Sequence, residues 1–474
     1  MVMGELTQEA DVVVIGGGPG GYAAAFRAAD LGLDVTLIDT DKRPGGVCLF
    51  RGCIPSKTYL HLSEVMHDAE RARDMGITYD KPKIDLKALR AWKDQVVDKL
   101  SGGLAALCKQ RGVQYIQGRA EFVASDRLRL RDAEVSGIKF KQAIIATGSR
   151  PIAFPGAQIK KGGRVMNSTG ALGLPEIPES MLVLGGGYVG LELGMVYSAL
   201  GTRIQVVEMA DQLLPGVDPD LVKPLKNRLD TEFEAIHLKT KVSRMEEGEG
   251  GVQVSFEGEA DITEQTFDRV LIAIGRSPNS RNLGLDHTKV EMDDRGFIQV
   301  DDRMRTADPN IFAIGDVIGG MMLAHKAGRE GKIAAEVIAG EASAFDAVAI
   351  PAVVYTDPQI AWCGLTETEA AQQNREVRVQ RFPWKYSGRA VTMGVPEGMT
   401  KLLIDPESKR VLGVGIVGRH AEGLISEGVL AVEMAALAED VAYTIHPHPT
   451  LSETEAEAAE IFLGGATHAP PKKK

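Results

Sequence analysis

The sequence predicts an α/β protein of three domains. Its length of 474 residues suits that number, because domains commonly hold roughly 100–200 residues. A strand–turn–helix–strand pattern occurs twice in the first half of the chain. From about residue 351 the pattern changes to alternating strands and amphipathic helices without glycine-rich turns, which predicts an α+β domain at the C-terminus.

Composition excludes several classes of protein. Hydrophobic residues make up 44% and charged residues 25%, which argues against a disordered, fibrous or membrane-embedded chain. The net charge of -11 argues against nucleic acid or an anionic membrane as a partner. The residues before Asp11 lack the basic pattern of a signal or transit peptide, so we expect a location in the cytoplasm.

Residues 11–39 and residues 180–208 resemble each other. Each segment has an apolar strand, a G-x-G-x-x-G turn, a helical stretch and a second apolar strand that ends in an acid. The interval from the first glycine to the acid is 23 residues in both copies. The residues concerned are Gly16, Gly18, Gly21 and Asp39 in the first copy, and Gly185, Gly187, Gly190 and Glu208 in the second.

These residue types are the ones that dinucleotide binding requires. The first glycine allows a tight turn, the second lets the backbone approach a pyrophosphate, and the third lets the helix pack on the strand. The acid accepts hydrogen bonds from a ribose hydroxyl. The repeat therefore predicts two Rossmann-like dinucleotide-binding domains; the alternative is two unrelated α/β units with glycines at these positions by chance.

Three later segments are typical of strands that close such domains. Thr147-Gly148 and Gly275 each follow a short apolar run, and Asp316 ends another, at the sheet edge where α/β proteins bind ligands. Asp316 is also suited to a helix N-cap, and the two roles are compatible. The resulting partition is residues 1–150 with 280–350, residues 151–279, and residues 351–474, the last five of which we expect to be disordered.

The chain has four cysteines, and two of them, Cys48 and Cys53, lie close together among glycines. A regular helix would separate them by roughly 7.5 Å of rise, so a disulfide requires an irregular turn. A helix predicted over Ser56–Arg73 would place Cys53 near its positive end, which favours a thiolate. Half of an iron–sulfur site and two inert thiols are the alternatives, and Cys108 and Cys363 are predicted to be core residues.

The segment Gly45–Lys57, Gly-Gly-x-Cys-x4-Cys-Ile-Pro-Ser-Lys, lies between two dinucleotide folds. In this it resembles the flavoprotein pyridine nucleotide–disulfide oxidoreductases, over the chain from Asp11 to about Glu460. The resemblance implies FAD on the first fingerprint, NAD(P) on the second, a redox-active Cys48–Cys53 disulfide, and a homodimer formed through the C-terminal domain.

The segment His446–Glu453 resembles the active-site motif of the same family. The resemblance implies that His448 is the base, that Glu453 is its partner, and that both reach the disulfide of the other subunit. Ser452 with Glu455, or Thr450 with Glu453, can form a capping box at the following helix. The paired histidines alternatively indicate a metal site or two simply exposed side chains, and we expect no metal.

The resemblance assigns three further residues to the surroundings of the flavin. Lys57 and Glu192 match an ion pair beside the flavin, and Ala324 matches a helix start at the flavin's pyrimidine end. Tyr188, inside the second fingerprint, is a candidate gate over the nicotinamide pocket, or else packs on the edge of the flavin. Without the resemblance, Lys57 and Glu192 would be ordinary charges on helices.

Glu208 decides between the two nucleotides, because a carboxylate accepts from the 2′-hydroxyl of NAD and repels the 2′-phosphate of NADP. Together with the resemblance, this implies oxidation of dihydrolipoamide on a lipoyl domain of a 2-oxo acid dehydrogenase or glycine cleavage complex. The alternatives are a reductase of glutathione-type or mercuric substrates, and a flavoprotein retained as an assembly subunit. Departures from the family pattern at Val47, Phe50 and Arg51 bear on the electrostatics of the cysteine pair.

Overall fold

A computed structural model describes residues 7–160 and 162–470. Two units make up the chain. One holds the described residues up to Thr58 with Asp85–Ile152 and Gly275–Asp346, and the other holds Tyr59–Ile84, Ala153–Ile274 and the described residues from Ala347 onwards. The three-domain partition stays a prediction. Of the tail expected to be disordered, Pro470 has no regular structure and residues 471–474 lie outside the described residues.

The strands follow one another along the chain as β1 (Thr7–Ile15), β2 (Val35–Asp39), β3 (Gln114–Gln117), β4 (Arg119–Ala124), β5 (Arg127–Arg131), β6 (Gly137–Ile145), β7 (Ser149–Pro151), β8 (Val165–Asn167), β9 (Ser180–Leu184), β10 (Arg203–Val207), β11 (Ala235–His237), β12 (Thr240–Gly248), β13 (Gly251–Gly258), β14 (Glu264–Phe267), β15 (Arg269–Ile272), β16 (Arg276–Pro278), β17 (Ile311–Ala313), β18 (Ala352–Val354), β19 (Gln359–Gly364), β20 (Arg378–Pro383), β21 (Met399–Ile404) and β22 (Val411–Gly418).

The α-helices are α1 (Pro19–Asp30), α2 (Gly46–Arg51), α3 (Cys53–Arg71), α4 (Leu86–Gln110), α5 (Ser168–Leu172), α6 (Tyr188–Leu200), α7 (Pro219–Glu232), α8 (Ala324–Ile338), α9 (Glu367–Gln372), α10 (Gly388–Thr392), α11 (Ala421–Glu433), α12 (Ala438–Tyr443) and α13 (Glu453–Leu463). Single 3₁₀ turns lie at Ala72–Met75, Leu285–His287, Gly315–Ile318 and Trp384–Tyr386.

The first unit is built on a seven-stranded sheet. Strands β3, β2, β1, β6 and β17 are parallel, and β5 and β4 continue the sheet in antiparallel fashion. Val12, Val13 and Val14 of β1 are all fully buried, as both faces of a parallel strand require. Helices α1 and α8 pack so closely that a Cβ on Gly331 would lie 2.4 Å from the Gly20 carbonyl oxygen.

The second unit contains three sheets. Strands β11, β10, β9, β15 and β8 form a parallel sheet, and β12, β13 and β14 form an antiparallel one. The segment from Leu182 to Leu200, whose apolarity resembles a membrane span, is β9, a turn and the buried helix α6. No helix in the described part of the chain is long and apolar enough to cross a membrane.

The third sheet, β18-β19-β22-β21-β20, is antiparallel and carries the C-terminal core. Trp384 is fully buried there and donates its indole N–H to Thr400 Oγ1 at 3.0 Å. The predicted core cysteines are confirmed, since Cys108 is 3% and Cys363 is 1% exposed. Burial raises the pKa of Cys363 to about 12, and the nearby Glu455 contributes in the same direction.

Glu455 is the exception in this core. The residue is 1% exposed, and its Oε1 has no hydrogen-bond partner. Burial, reinforced by the charge of Glu427, raises the pKa of Glu455 well above its ordinary value of 4.5. The folded chain therefore keeps a proton that the unfolded chain releases as the pH rises above 4.5.

The raised pKa of Glu455 has a consequence for stability. Its stabilising contribution is complete below the unfolded-state pKa and declines, by about 1.4 kcal/mol per pH unit at most, as the pH rises towards the folded-state pKa. Glu455→Gln has no proton to lose. The Tm of the variant minus the Tm of the parent should therefore increase as the pH rises from about 5 to about 8. Glu407→Gln removes an exposed carboxylate of the same unit and serves as the control. Parallel Tm curves for the parent and Glu455→Gln would contradict a buried neutral carboxyl.

Candidate active site

The first glycine turn lies between β1 and α1 and leaves no room for side chains. Gly16 has a φ of +110°, and a Cβ there would lie 2.3 Å from the Ala146 carbonyl oxygen. A Cβ on Gly21 would lie 1.8 Å from the Gly16 carbonyl oxygen. Gly18, in contrast, has no heavy atom within 4 Å of where its Cβ would be. The turn therefore has one open position, at the start of α1, where a phosphate group can approach the backbone.

Asp39 lies directly under this turn. Its Oδ2 accepts from the backbone N–H of Gly17, and its Oδ1 accepts from that of Asp41 at 2.8 Å. Burial raises the pKa of Asp39, while the two backbone donors oppose the shift. Oδ1 also accepts from the Thr40 hydroxyl at 3.5 Å, so Oδ2 is the oxygen that keeps a second lone pair for a ribose hydroxyl.

The second turn, between β9 and α6, repeats this arrangement. Cβ atoms on Gly185 and Gly190 would lie 2.5 Å from the Ala273 oxygen and 2.4 Å from the Gly185 oxygen, and Gly187 again has open space. Glu208 accepts from the backbone N–H groups of Gly186 at 2.7 Å and Ala210 at 2.8 Å. Both copies thus fit a dinucleotide in the same way.

Two predicted residues lie on α6. Tyr188 is its first residue and is 41% exposed, at the edge of the glycine turn. Glu192 is 3% exposed and accepts from the backbone N–H of Tyr355 at 3.0 Å. Lys57, its predicted partner, is half-buried on α3. The Lys57–Glu192 ion pair stays a prediction.

The cysteine pair lies where two helices meet. Helix α2 ends at Arg51, Gly52 breaks the chain direction with a φ of -148° and a ψ of -117°, and α3 begins at Cys53. The irregular turn that a Cys48–Cys53 bridge requires is therefore present. The predicted start of this helix at Ser56 is three residues late, because Pro55 fits inside the first turn, where a missing N–H costs nothing.

The side chains of Cys48 and Cys53 are in contact with each other. The hydrogen bond that Cys48 makes to Cys53 raises the pKa of Cys48, and burial adds to this, whereas Lys57 acts in the opposite direction. Cys53 is the more exposed of the two and is the first residue of α3, so the helix N-terminus favours its thiolate.

Tyr22 is a site residue that sequence reasoning missed. It lies in the first turns of α1, and its pKa is raised by burial and then by the charges of Cys48 and Cys53. The tyrosine hydroxyl is thus within electrostatic reach of both sulfurs. Its position directly after Gly21 of the fingerprint was the available signal.

The remaining predicted residues of the first unit lie along one edge of its sheets. Asp316 accepts from Ser149 Oγ, which in turn accepts from Arg276 Nε at 2.6 Å. Thr147 Oγ1 donates to the Asn279 carbonyl at 2.8 Å. Ser149, Arg276 and Asn279 carried no motif signal. Turn glycines and a helix start complete the edge: Gly148 with a φ of +69°, Gly275 with a φ of +115°, and Ala324 as the first residue of α8.

In the second unit, His448 and Glu453 form the pair that the resemblance implies. His448 Nδ1 lies 2.8 Å from Glu453 Oε1, and Glu453 Oε2 accepts from the Thr450 backbone N–H at 2.7 Å. Burial alone would raise the pKa of Glu453, but the Thr450 donor and the imidazole outweigh it and lower that pKa. A carboxylate at Nδ1 fixes a proton there and leaves Nε2 as the basic nitrogen.

Glu453 is the first residue of α13, and its bond to Thr450 is half of one predicted capping box. The other half is missing, because Thr450 Oγ1 donates to the Pro447 carbonyl at 2.8 Å. The alternative box of Ser452 with Glu455 is absent, since no side-chain bond caps α13 at Ser452. Glu455 points into the core instead, where it is 1% exposed.

The expectation that both histidines are simply exposed is wrong for His446. Its side chain is 6% exposed, with Nδ1 2.8 Å from the Thr444 carbonyl and Nε2 2.7 Å from Glu427 Oε1. A second imidazole–carboxylate pair thus lies two residues before His448. It was missed because Glu427 lies 19 residues away, on α11.

One group of carboxylates within residues 7–160 and 162–470 has the spacing of metal ligands: Asp218, Asp220 and Glu367. Lys401, 1% exposed, already supplies their cation, with its Nζ 2.6 Å from Asp218 Oδ2 and 2.7 Å from Asp220 Oδ1. Glu367 lies 3.4 Å from the same nitrogen. The group is a buried ion-pair network, and the expected absence of a metal stays a prediction.

Known proteins were compared with this chain. Residues 10–331 match the family described as pyridine nucleotide-disulphide oxidoreductase, and residues 350–459 match the dimerisation domain of that family. Dihydrolipoyl dehydrogenase of Haemophilus influenzae is 47% identical over 98% of this chain and 97% of its own length. Dihydrolipoyl dehydrogenase of Halobacterium salinarum is 46% identical over 99% of both chains.

Solved structures with a similar fold include LpdA of Mycobacterium tuberculosis. It has a TM-score of 0.88 and 28% identity, over 95% of this chain and 99% of the other. The HOCl-induced flavoprotein disulfide reductase RclA of Escherichia coli has a TM-score of 0.85 and 26% identity over 96% and 99%.

These likenesses confirm the predicted α/β class with a C-terminal dimerisation domain. They also confirm the prediction of a flavoprotein oxidoreductase with FAD and NAD as cofactors. The glycine turns, their acids and the cysteine pair are the residues on which that prediction was made. The chain belongs to the pyridine nucleotide-disulphide oxidoreductase family.

Proposed function

We propose that this chain oxidises dihydrolipoyl groups with NAD, the dihydrolipoyl dehydrogenase reaction. The observation that carries the proposal is the contact between Cys48 and Cys53 at the start of α3, directly beside the first dinucleotide turn. The names of relatives that are 46–47% identical over nearly the whole chain support the same reaction.

The first turn and its sheet edge would hold FAD. Gly18 offers the open backbone for the pyrophosphate, Asp39 the ribose acceptor, and Asp316 a second acceptor at the strand ends. Gly148 has no side chain there, and Ala324, the first residue of α8, has only a methyl group. When bound, FAD carries the two electrons from the cysteine pair to the nicotinamide.

The second turn would hold NAD. Gly187 offers open backbone to the pyrophosphate, and Glu208 faces the adenosine ribose. Because Glu208 is already held by two backbone N–H groups, its charge stays in place to repel a 2′-phosphate. Tyr188, the first residue of α6, would cover the nicotinamide.

His448 is proposed to take the proton from one substrate thiol at Nε2. The resulting thiolate attacks Cys48, forming a mixed disulfide as the Cys48–Cys53 bond breaks. Cys53 leaves as a thiolate, which the N-terminus of α3 and Lys57 stabilise. The second substrate thiol then displaces Cys48. Cys48 leaves as a thiol with the proton that His448 held, and His448 takes up the proton of the second substrate thiol.

A second copy of the chain is the proposed partner at the C-terminal domain. Four large apolar side chains beside or near the histidine segment are strongly exposed: Leu430 at 63%, Met434 at 72%, Tyr443 at 75% and Ile445 at 96%. Exposure of this size around a site marks an interface, and the matched dimerisation domain spans the same residues. The proposed source of substrate is the lipoyl domain of a 2-oxo acid dehydrogenase or glycine cleavage complex. The proposed location of the enzyme is the cytoplasm.

The proposed reaction can be tested by anaerobic titration of the holoenzyme with dihydrolipoamide. The parent should develop a new long-wavelength absorbance band from the Cys53 thiolate beside bound FAD. Cys53→Ser should bind FAD and lack the band, whereas Cys108→Ser, a buried thiol elsewhere in the first unit, should resemble the parent. A parent spectrum that does not change on titration would sink the proposal.

The role of Glu453 predicts a defect in proton transfer. Glu453→Gln keeps the shape and loses the charge that stabilises a protonated His448, so kcat should fall by about 100-fold or more. The pKa of the base in the pH profile of kcat/KM should fall as well. Glu460→Gln, on the same helix, should match the parent, and an unchanged pH profile in Glu453→Gln would exclude this role.

Nucleotide choice should depend on Glu208. The parent should use NAD with a kcat/KM at least about 100-fold above that for NADP, and Glu208→Gln should narrow the ratio by about tenfold because repulsion of the 2′-phosphate is lost. Asp211→Asn, an exposed carboxylate close by, should leave the ratio unchanged. A parent enzyme that prefers NADP would contradict the assignment.

A further inference from the structure

Helix α2, which carries Cys48, is too short to be stable without external contacts. It has six residues, and isolated helices of that length do not form in water. Gly45, with a φ of +152°, precedes it, Gly46, with a φ of +59°, is its first residue, and Gly52 follows it. The position of Cys48 is therefore set by whatever holds the two ends of α2.

The N-terminal end is held by the first dinucleotide turn. The Gly45 backbone N–H donates to the Gly17 carbonyl at 2.7 Å. A Cβ on Gly46 would lie 2.5 Å from Gly18 Cα, so the two backbones are in direct contact. This end of α2 thus packs on the residue that offers open backbone to a pyrophosphate.

The C-terminal end is held by Arg51, three residues after Cys48. Its guanidinium donates to both oxygens of Asp41, Nη1 to Oδ1 at 2.9 Å and Nη2 to Oδ2 at 2.6 Å. The pair is partly buried, with side chains 37% and 24% exposed. Two-point bonds of this kind fix orientation as well as distance.

Asp41 carries the connection onward to the ribose acid. Its backbone N–H donates to Asp39 Oδ1 at 2.8 Å, and its carbonyl accepts from the Tyr115 hydroxyl at 2.7 Å. An unbroken series of hydrogen bonds therefore runs from Arg51 through Asp41 to Asp39. Position 51 is one at which this chain departs from the family pattern.

We propose that Arg51 and Asp41 are a positioning pair that couples FAD retention to the placement of Cys48. The inference rests on the proposed roles of the first turn in FAD binding and of Cys48 in the redox pair. The described hydrogen bonds of the Arg51 guanidinium go to Asp41, so Arg51 acts by fixing α2 against the loop that presents Asp39. Loss of either partner should loosen the cysteine helix and the ribose site together.

The test compares four variants of the holoenzyme: Arg51→Leu, Asp41→Asn, the double variant that combines them, and the exchanged pair Arg51→Asp with Asp41→Arg. FAD release is followed by the rise in flavin fluorescence, and Cys48 reactivity by alkylation of the reduced enzyme with iodoacetamide. Neither readout needs dihydrolipoamide or NAD, so a failure of the proposed reaction would leave both unchanged.

Each single variant should release FAD about fivefold faster and alkylate Cys48 faster, since a partly buried bidentate pair is worth about 1 kcal/mol. The double variant should release FAD and alkylate Cys48 no faster than either single variant. The exchanged pair should reverse at least half of the increase in both rates. Arg51→Lys keeps the charge but cannot form the two-point bond, so its rates of FAD release and alkylation should lie between those of the parent and of Arg51→Leu. This variant replaces Arg51→Leu in the test if the leucine variant does not fold.

The matched control is Arg43→Leu, which breaks the exposed Arg43–Asp98 pair on the same loop. It should leave both FAD release and alkylation unchanged. The proposal is overturned if Arg51→Leu and Arg51→Lys behave like the parent, if the two single effects add in the double variant, or if Arg43→Leu has the same effect.

Discussion

The two dinucleotide turns of the candidate site depend first on places where a strand and a helix meet without side chains between them. At Gly16 and Gly21 a Cβ would fall within 2.3 Å of a carbonyl oxygen, and at Gly185 and Gly190 within 2.5 Å. Only glycine permits such contacts. They let α1 and α6 begin directly at the strand ends, so that backbone N–H groups face the open position beside the middle glycine of each fingerprint.

The acid that follows each turn supports the turn itself. Asp39 binds the N–H of Gly17, and Glu208 binds that of Gly186, so each carboxylate lies beneath its own glycine loop. Parallel pairing of β1 with β2, and of β9 with β10, brings the acid to this place. This geometry explains why both copies keep the same 23-residue interval, even though one acid is Asp and the other Glu.

Local features of the fold could be predicted from sequence, because a turn, a helix start or a buried strand depends on neighbouring residues. The two turns and the break between Cys48 and Cys53 belong to this class. Contacts between distant residues left no periodic signal. Arg276 and Ser149 are 127 positions apart, and the partner of Arg51 comes from the loop after β2. The predictions of site residues therefore named the motifs but lacked the side chains that hold them in place.

The resemblance implied that His448 is the base, and hydrogen bonding distinguishes it from the neighbouring His446. Both nitrogens of His446 are engaged, one by the Thr444 carbonyl and one by Glu427. A carbonyl only accepts, so Nδ1 donates to it, and Nε2 faces Glu427 instead of solvent. His448 has only Nδ1 engaged among the described residues, and its side chain is 70% exposed. A base needs a free lone pair and access to the substrate, and of the two imidazoles His448 has both.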